Sequence, residues 1–242
     1  MADPVALITG GARRIGAAIA ETLHDAGFNV VVHFRSSRPA ALALRRRLEA
    51  RRPDSVRLIA ADLASVNAVE ALVAEAVGGW GRLDVVVNNA SAFYPTPLGE
   101  ASEAQWEELL ASNLKAPFFL SQAAFPQLRL RGGCIVNITD VYGLRPRPGY
   151  PVYSVAKAGL TALTRALALE MAPDVRVNAV APGAILWPER PVAEADRQAL
   201  LDAVPLRRMG TEADVTRAVR YLVCDAPYVT GQVIAVDGGR SL

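Results

Sequence analysis

A chain of 242 residues, 52% apolar and 21% charged, is long and apolar enough to bury one sizeable core and is not disordered. Its net charge of +2 gives no general attraction to nucleic acid, and its apolar runs are strand-sized, so neither a nucleic-acid partner nor a membrane span is expected. No secretory leader pattern is visible, and Cys134 and Cys224 are expected as two buried free thiols; both readings fit a reducing cytoplasm.

The first predicted strand, Val5–Thr9, runs into a glycine turn, Thr9-Gly10-Gly11-Ala12-Arg13-Arg14-Ile15-Gly16, which opens a helix over Ile15–Ala26. A strand–glycine turn–helix sequence is the context in which such a turn binds a dinucleotide. Gly10 allows the tight turn, Gly16 allows close helix–strand packing, and the helix N-terminus offers N–H groups and positive dipole to a pyrophosphate, so Gly10, Arg14, Ile15 and Gly16 are candidate cofactor contacts.

The second strand, Phe28–His33, decides between nucleotides. An NAD site commonly carries an acid about twenty residues past the glycines, to bond the ribose 2′-hydroxyl. Between Asp25 and Glu49 this chain has no Asp or Glu, and Arg35, Ser36, Ser37 and Arg38 follow the strand. Arginine matches the oxygens of a 2′-phosphate, so the cofactor is read as NADPH, with Arg14 and Arg35 as its leading partners and His33 near the adenosine.

A helix over Leu42–Arg51, whose arginines make a solvated face, leads to the third strand, Val56–Ala60. Asp62-Leu63 lies beyond that strand, where the acid either accepts from the adenine amino group or caps the next helix, Val66–Val77. The fourth strand, Leu83–Val87, ends in Asn88-Asn89-Ala90-Ser91. These residues should line the crevice, because ligands of open α/β sheets sit beyond the carboxyl ends of the strands.

A long helix, Glu103–Leu130, and a fifth strand, Cys134–Asn137, precede Asp140 and a helix over Val152–Met171. Tyr153 and Lys157 stand four residues apart on that helix and share one face; a phenol beside a permanent ammonium is tuned toward proton transfer. Asp140 is the unusual member. A hydroxyl there would suit a carbonyl oxygen, whereas a carboxyl suits reduction of a ring C=N bond, in which nitrogen takes a proton. The sixth strand, Arg176–Val180, is followed by an irregular stretch of about 182–205 that reads as a lid, then a helix over Glu212–Cys224 and a last strand, Val233–Val236. The alternation predicts a single doubly wound (Rossmann-type) α/β domain over 1–242, a seven-stranded parallel sheet with helices on both faces.

The turn Thr9–Gly16, Asn88-Asn89-Ala90, Asn113, Tyr153-x-x-x-Lys157, Pro182-Gly183 and Val236-Asp237-Gly238-Gly239 together resemble the short-chain dehydrogenase/reductases over essentially the whole chain. The resemblance implies Tyr153 as proton donor, Lys157 on the nicotinamide ribose, Asn113 in a water relay to Lys157, Pro182-Gly183 beside the nicotinamide, and a homotetramer. Within that family Arg14 in place of a glycine, Asp140 in place of a serine and Ser91-Ala92-Phe93-Tyr94-Pro95 are most similar to the pteridine reductases. That likeness implies a pteridine or folate substrate, with Phe93 stacked on the pterin, Ser91 and Arg14 contacting pterin or phosphates, and Tyr150 in the pocket. The alternative is a carbonyl reductase, for instance of 3-oxoacyl thioesters.

Overall fold

The computed structural model describes residues 3–187 and 193–242. Its seven parallel strands, β1 (Val5–Ile8), β2 (Asn29–Phe34), β3 (Val56–Ala60), β4 (Val85–Asn88), β5 (Cys134–Ile138), β6 (Arg176–Pro182) and β7 (Val233–Val236), lie in the order β3-β2-β1-β4-β5-β6-β7. Each strand up to β6 feeds a crossover, as parallel pairing requires. Central strands are apolar on both faces: β1 and β4 are buried throughout, since helices cover each side. One core packs Ile19, Leu23, Leu44 and Val219 against Ala6, Val30 and Val87; the other packs Leu72, Leu120, Leu128 and Leu167 against Leu7, Val86 and Ile135.

The helices are α1 (Arg14–Asp25), α2 (Arg38–Glu49), α3 (Val66–Trp80), α4 (Glu103–Leu110), α5 (Ala116–Arg129), α6 (Pro151–Glu170), α7 (Glu194–Asp202) and α8 (Glu212–Arg220). The single helix expected over 103–130 is interrupted by a π turn, Ala111–Lys115, which joins α4 to α5. A second π turn, Tyr221–Asp225, closes α8. Such turns insert one residue into the helical ladder and often occur where a side chain must be re-aimed.

Two expectations need correction. The stretch 182–205 is not irregular throughout: it contains α7, whose side chains are largely exposed, so it lacks the apolar stripe by which a helix is read. Residues 188–192 of that stretch lie outside the described residues. Cys134 is buried in β5, but Cys224 is exposed because it falls on the outer side of the π turn; both are free thiols. Among the described residues no helix is long and apolar enough to cross a membrane. Arg47 of α2 bonds Glu21, and past the helix end Arg51 reaches Asp25 at 2.7 Å and Arg52 reaches Asp3 at 3.0 Å.

Candidate active site

Strand order reverses between β1 and β4, and the crevice opens at that switch point. A cleft of about 700 Å³ runs there past Gly10, Arg14, Ile15, Gly16, His33, Arg35, Ser36, Asp62, Leu63, Asn89, Ala90 and Ser91. The sequence named each of these as a cofactor contact, and the fold brings them all to one surface.

The turn is built for a bound group. Gly10 has φ +59°, in the left-handed region, and a Cβ on Gly16 would fall 2.3 Å from the Gly10 carbonyl oxygen and 2.5 Å from Asn89 Nδ2. Arg14 also adopts a left-handed φ, +51°, at α1's first position, and its Nη2 donates to the Trp187 carbonyl at 3.3 Å. The neighbours brace the turn. Asn89 Nδ2 donates to the Thr9 and Gly10 carbonyls at 2.9 and 3.1 Å, and Thr9 Oγ1 accepts from the Asn89 and Ala90 N–H groups at 2.9 and 3.0 Å. His33 Nδ1 accepts from Gly10 N–H at 3.2 Å, which leaves Nε2–H to donate to the Ala61 carbonyl at 3.1 Å. Burial lowers its pKa and keeps the ring neutral for both bonds. His33 therefore supports the cleft wall as much as it lines it. Asp62 Oδ1 accepts from Ala64 N–H at 3.0 Å in a turn ahead of α3, whose cap is Ser65 and not Asp62, and Asp62 still faces the cleft.

Beyond the turn a second cleft of about 700 Å³ shares Arg14, Ile15, Asn89 and Ser91 with the first and continues to Phe93, Asp140, Tyr153, Lys157, Pro182 and Gly183. Tyr153 and Lys157 project from α6, and Asp140 caps the short 3₁₀ turn Val141–Gly143 after β5. That turn is pressed against α6: a Cβ on Gly143 would meet the Lys157 carbonyl carbon at 2.7 Å. The close approach sets Asp140 against Tyr153. Tyr153 Oη donates to Asp140 Oδ2 at 2.8 Å, and Asp140 Oδ1 accepts from the Tyr142 N–H at 2.8 Å.

The electrostatics differ from the sequence expectation. Lys157 Nζ donates to the Ile138 carbonyl at 2.9 Å and lies 5.7 Å from the Tyr153 ring centroid, so the nearest charge to the phenol is the carboxyl. Burial, and then the Asp140 charge, hold the phenol well above its ordinary value, with the Ser91 hydroxyl pulling the other way. Nor is the ammonium permanent, since burial lowers the Lys157 pKa to about 8. Burial raises the Asp140 carboxyl, opposed by the Tyr142 N–H, the Tyr153 O–H and the charges of Lys157 and Arg240. Asp140 and Tyr153 thus form a buried pair that favours retaining protons.

Asn113 sits in the π turn, fully buried; its Oδ1 accepts from Ser91 Oγ at 2.6 Å, and its Nδ2 donates to the Ala92 and Leu109 carbonyls at 3.0 and 2.9 Å. Its side chain fixes the loop after β4. Phe93, 49% exposed, lies parallel to Tyr150 at 4.8 Å and edge-on to Tyr153 at 4.7 Å. Tyr150, expected in the pocket, instead backs Phe93. The sequence missed Arg13 in the first cleft, and Tyr142, Arg147, Trp187 and Arg240 in the second; only Trp187 carried a signal, its place in the lid-like stretch.

Comparison with known proteins places this geometry. The Enoyl-(Acyl carrier protein) reductase family model matches residues 10–241. The chain is a short-chain dehydrogenase/reductase, a member of an NAD(P)-dependent family. It is 38% identical to a Staphylococcus aureus 3-oxoacyl-(acyl-carrier-protein) reductase, FabG, covering 97% of this chain and 96% of the relative. It is also 38% identical to pteridine reductase 1 of Leishmania tarentolae, covering 99% and 96%. A solved blue fluorescent protein from a metagenomic library, in complex with NADPH, superposes with TM-score 0.92 at 35% identity over 99% and 98% of the two chains.

Proposed function

We propose that this oxidoreductase is an NADPH-dependent pteridine reductase, converting dihydropteridines to tetrahydropteridines, with oxidised pterins and folates as further substrates. The observation that carries the reading is the Tyr153–Asp140 hydrogen bond of 2.8 Å beside an exposed Phe93 ring. The glycine turn, with no room for a side chain at Gly16 and a left-handed backbone at Gly10, fits a pyrophosphate, and Arg35 with Ser36 fits a 2′-phosphate. Lys157 would hold the nicotinamide ribose, and Pro182-Gly183, which line the same cleft, would border the ring.

Bound NADPH supplies the hydride that reduces the carbon of the ring C=N bond. The chain's residues manage the proton that the nitrogen must take. Tyr153, held protonated, donates it, and a protonated Asp140 then reprotonates the phenolate across their 2.8 Å contact and regains its own proton from solvent. Giving up that proton leaves Asp140 as a carboxylate, which would oppose the oxyanion that forms in carbonyl reduction, so this pair suits nitrogen better than a ketone oxygen. Phe93 supplies a flat apolar face for a bicyclic ring. Since FabG is equally similar, reduction of 3-oxoacyl thioesters is the second reading, and it requires Asp140 to act protonated. Steady-state NADPH oxidation with dihydrobiopterin and with an acetoacetyl thioester separates the two. Turnover of the thioester alone refutes the pteridine reading.

A further inference from the structure

The second cleft carries two arginines that the proton chemistry does not use. Arg147 Nη1 and Arg240 Nη2 each donate to Tyr142 Oη at 3.1 Å, and each guanidinium lies 5.4 Å from that ring's centroid. Arg147 also stands 4.6 Å over the Tyr150 ring. Two like charges therefore meet on one neutral oxygen, and among the described residues neither forms an ion pair with a carboxylate. Of the two acids lining the cleft, Asp140 is engaged by Tyr142 and Tyr153, and Asp196 is exposed on α7. Each guanidinium has five N–H donors, and one phenol oxygen uses few of them.

We propose that Arg147 and Arg240 form an anion clamp at the mouth of the cleft, selecting pteridines whose side chain ends in a carboxylate or a phosphate. An anion between the guanidiniums relieves their mutual repulsion and accepts the remaining N–H groups in the planar, paired geometry arginine favours. The exposed ring of Phe93 offers flat apolar contact beside Tyr153, and the Tyr142 ring that carries the two arginines lies 6.5 Å from it and within 13° of parallel. The inference rests on the pteridine reading.

The test is kcat/KM of the full chain with NADPH and three probes: dihydrobiopterin, whose side chain is uncharged, dihydrofolate, which carries carboxylates, and dihydroneopterin phosphate. The wild type is expected to prefer at least one anionic probe by about tenfold, with the preference shrinking as salt is added. Which probe it prefers identifies the anion. Arg147→Gln should reduce that preference about tenfold, through KM, and Arg147→Lys should restore part of it. Equal kcat/KM for all three probes, or a uniform loss in Arg147→Gln, overturns the clamp and leaves the pteridine reading standing. No turnover of any probe, with reduction of an acetoacetyl thioester instead, overturns both.

Discussion

Asp140→Asn isolates the proton chemistry from the fold. The amide has nearly the volume of the carboxyl, and its oxygen still accepts from the Tyr142 N–H, now 2.8 Å away. Burial disfavours the ionised carboxylate, so removing that charge should leave thermal stability unchanged or slightly higher. The variant loses a group that can take and return a proton. General acid–base contributions of about 10²- to 10⁴-fold correspond to roughly 3–5 kcal/mol of barrier, and kcat/KM for dihydrobiopterin should fall within that range. Acetoacetyl thioester reduction, if present, should fall much less. A second signature follows from charge: the Asp140 anion helps raise the Tyr153 phenol, so the alkaline limb of the pH–rate profile should move to lower pH in the variant. Pteridine turnover within about threefold of wild type across the profile would refute the role given to Asp140.

Arg35→Ala should raise KM for NADPH by about tenfold or more while changing that for NADH little; a uniform loss in steady-state kinetics refutes the 2′-phosphate assignment. Gly143→Ala puts a Cβ 2.7 Å from the Lys157 carbonyl carbon and so forces the turn off α6; it should cost roughly 1–3 kcal/mol in urea unfolding together with lost turnover, as Asp140 leaves Tyr153. Lys157 is depressed from 10.5 to about 8, so its contribution to stability is full above pH 10.5 and is lost as pH falls toward 8. That is roughly 3 kcal/mol, and Lys157→Met should flatten the rise between those pH values in denaturant titrations; an unchanged slope refutes the depressed value. Phe118, Val155 and Leu169 leave apolar surface exposed on α5 and α6, a face that suits pairing with copies of the chain. A homotetramer is expected by light scattering, with Leu169→Glu shifting it to smaller species.

The seven strands and the cofactor cleft were largely legible because their signals are local. A glycine turn between a strand and a helix, and a second strand followed by Arg35-Ser36, need no long-range information. β3 and β7 match their predicted bounds, and other strands shift by a residue or two because pairing, not composition, ends them. The substrate half was only partly legible. Asp140 and Tyr153 were linked by their types, but which charge lies closest to the phenol depends on how tightly the Gly143 turn packs against α6. Arg240, near the chain end, reaches Tyr142 only because β7 lies beside β6, and no spacing in the sequence announces that. The π turn at Asn113 was hidden in a helical pattern because one inserted residue leaves apolar periodicity nearly intact.

Arg14, Ile15, Asn89 and Ser91 border both clefts, so the two cavities are one trench with a common wall. A substrate entering beside Phe93 would share that wall with the dinucleotide. Kinetics should therefore be compulsory-order, with the dinucleotide first on and last off. Oxidised dinucleotide should inhibit competitively against NADPH and non-competitively against the pteridine, and a planar pteridine in excess should inhibit by settling into the empty half of the trench before its co-substrate arrives.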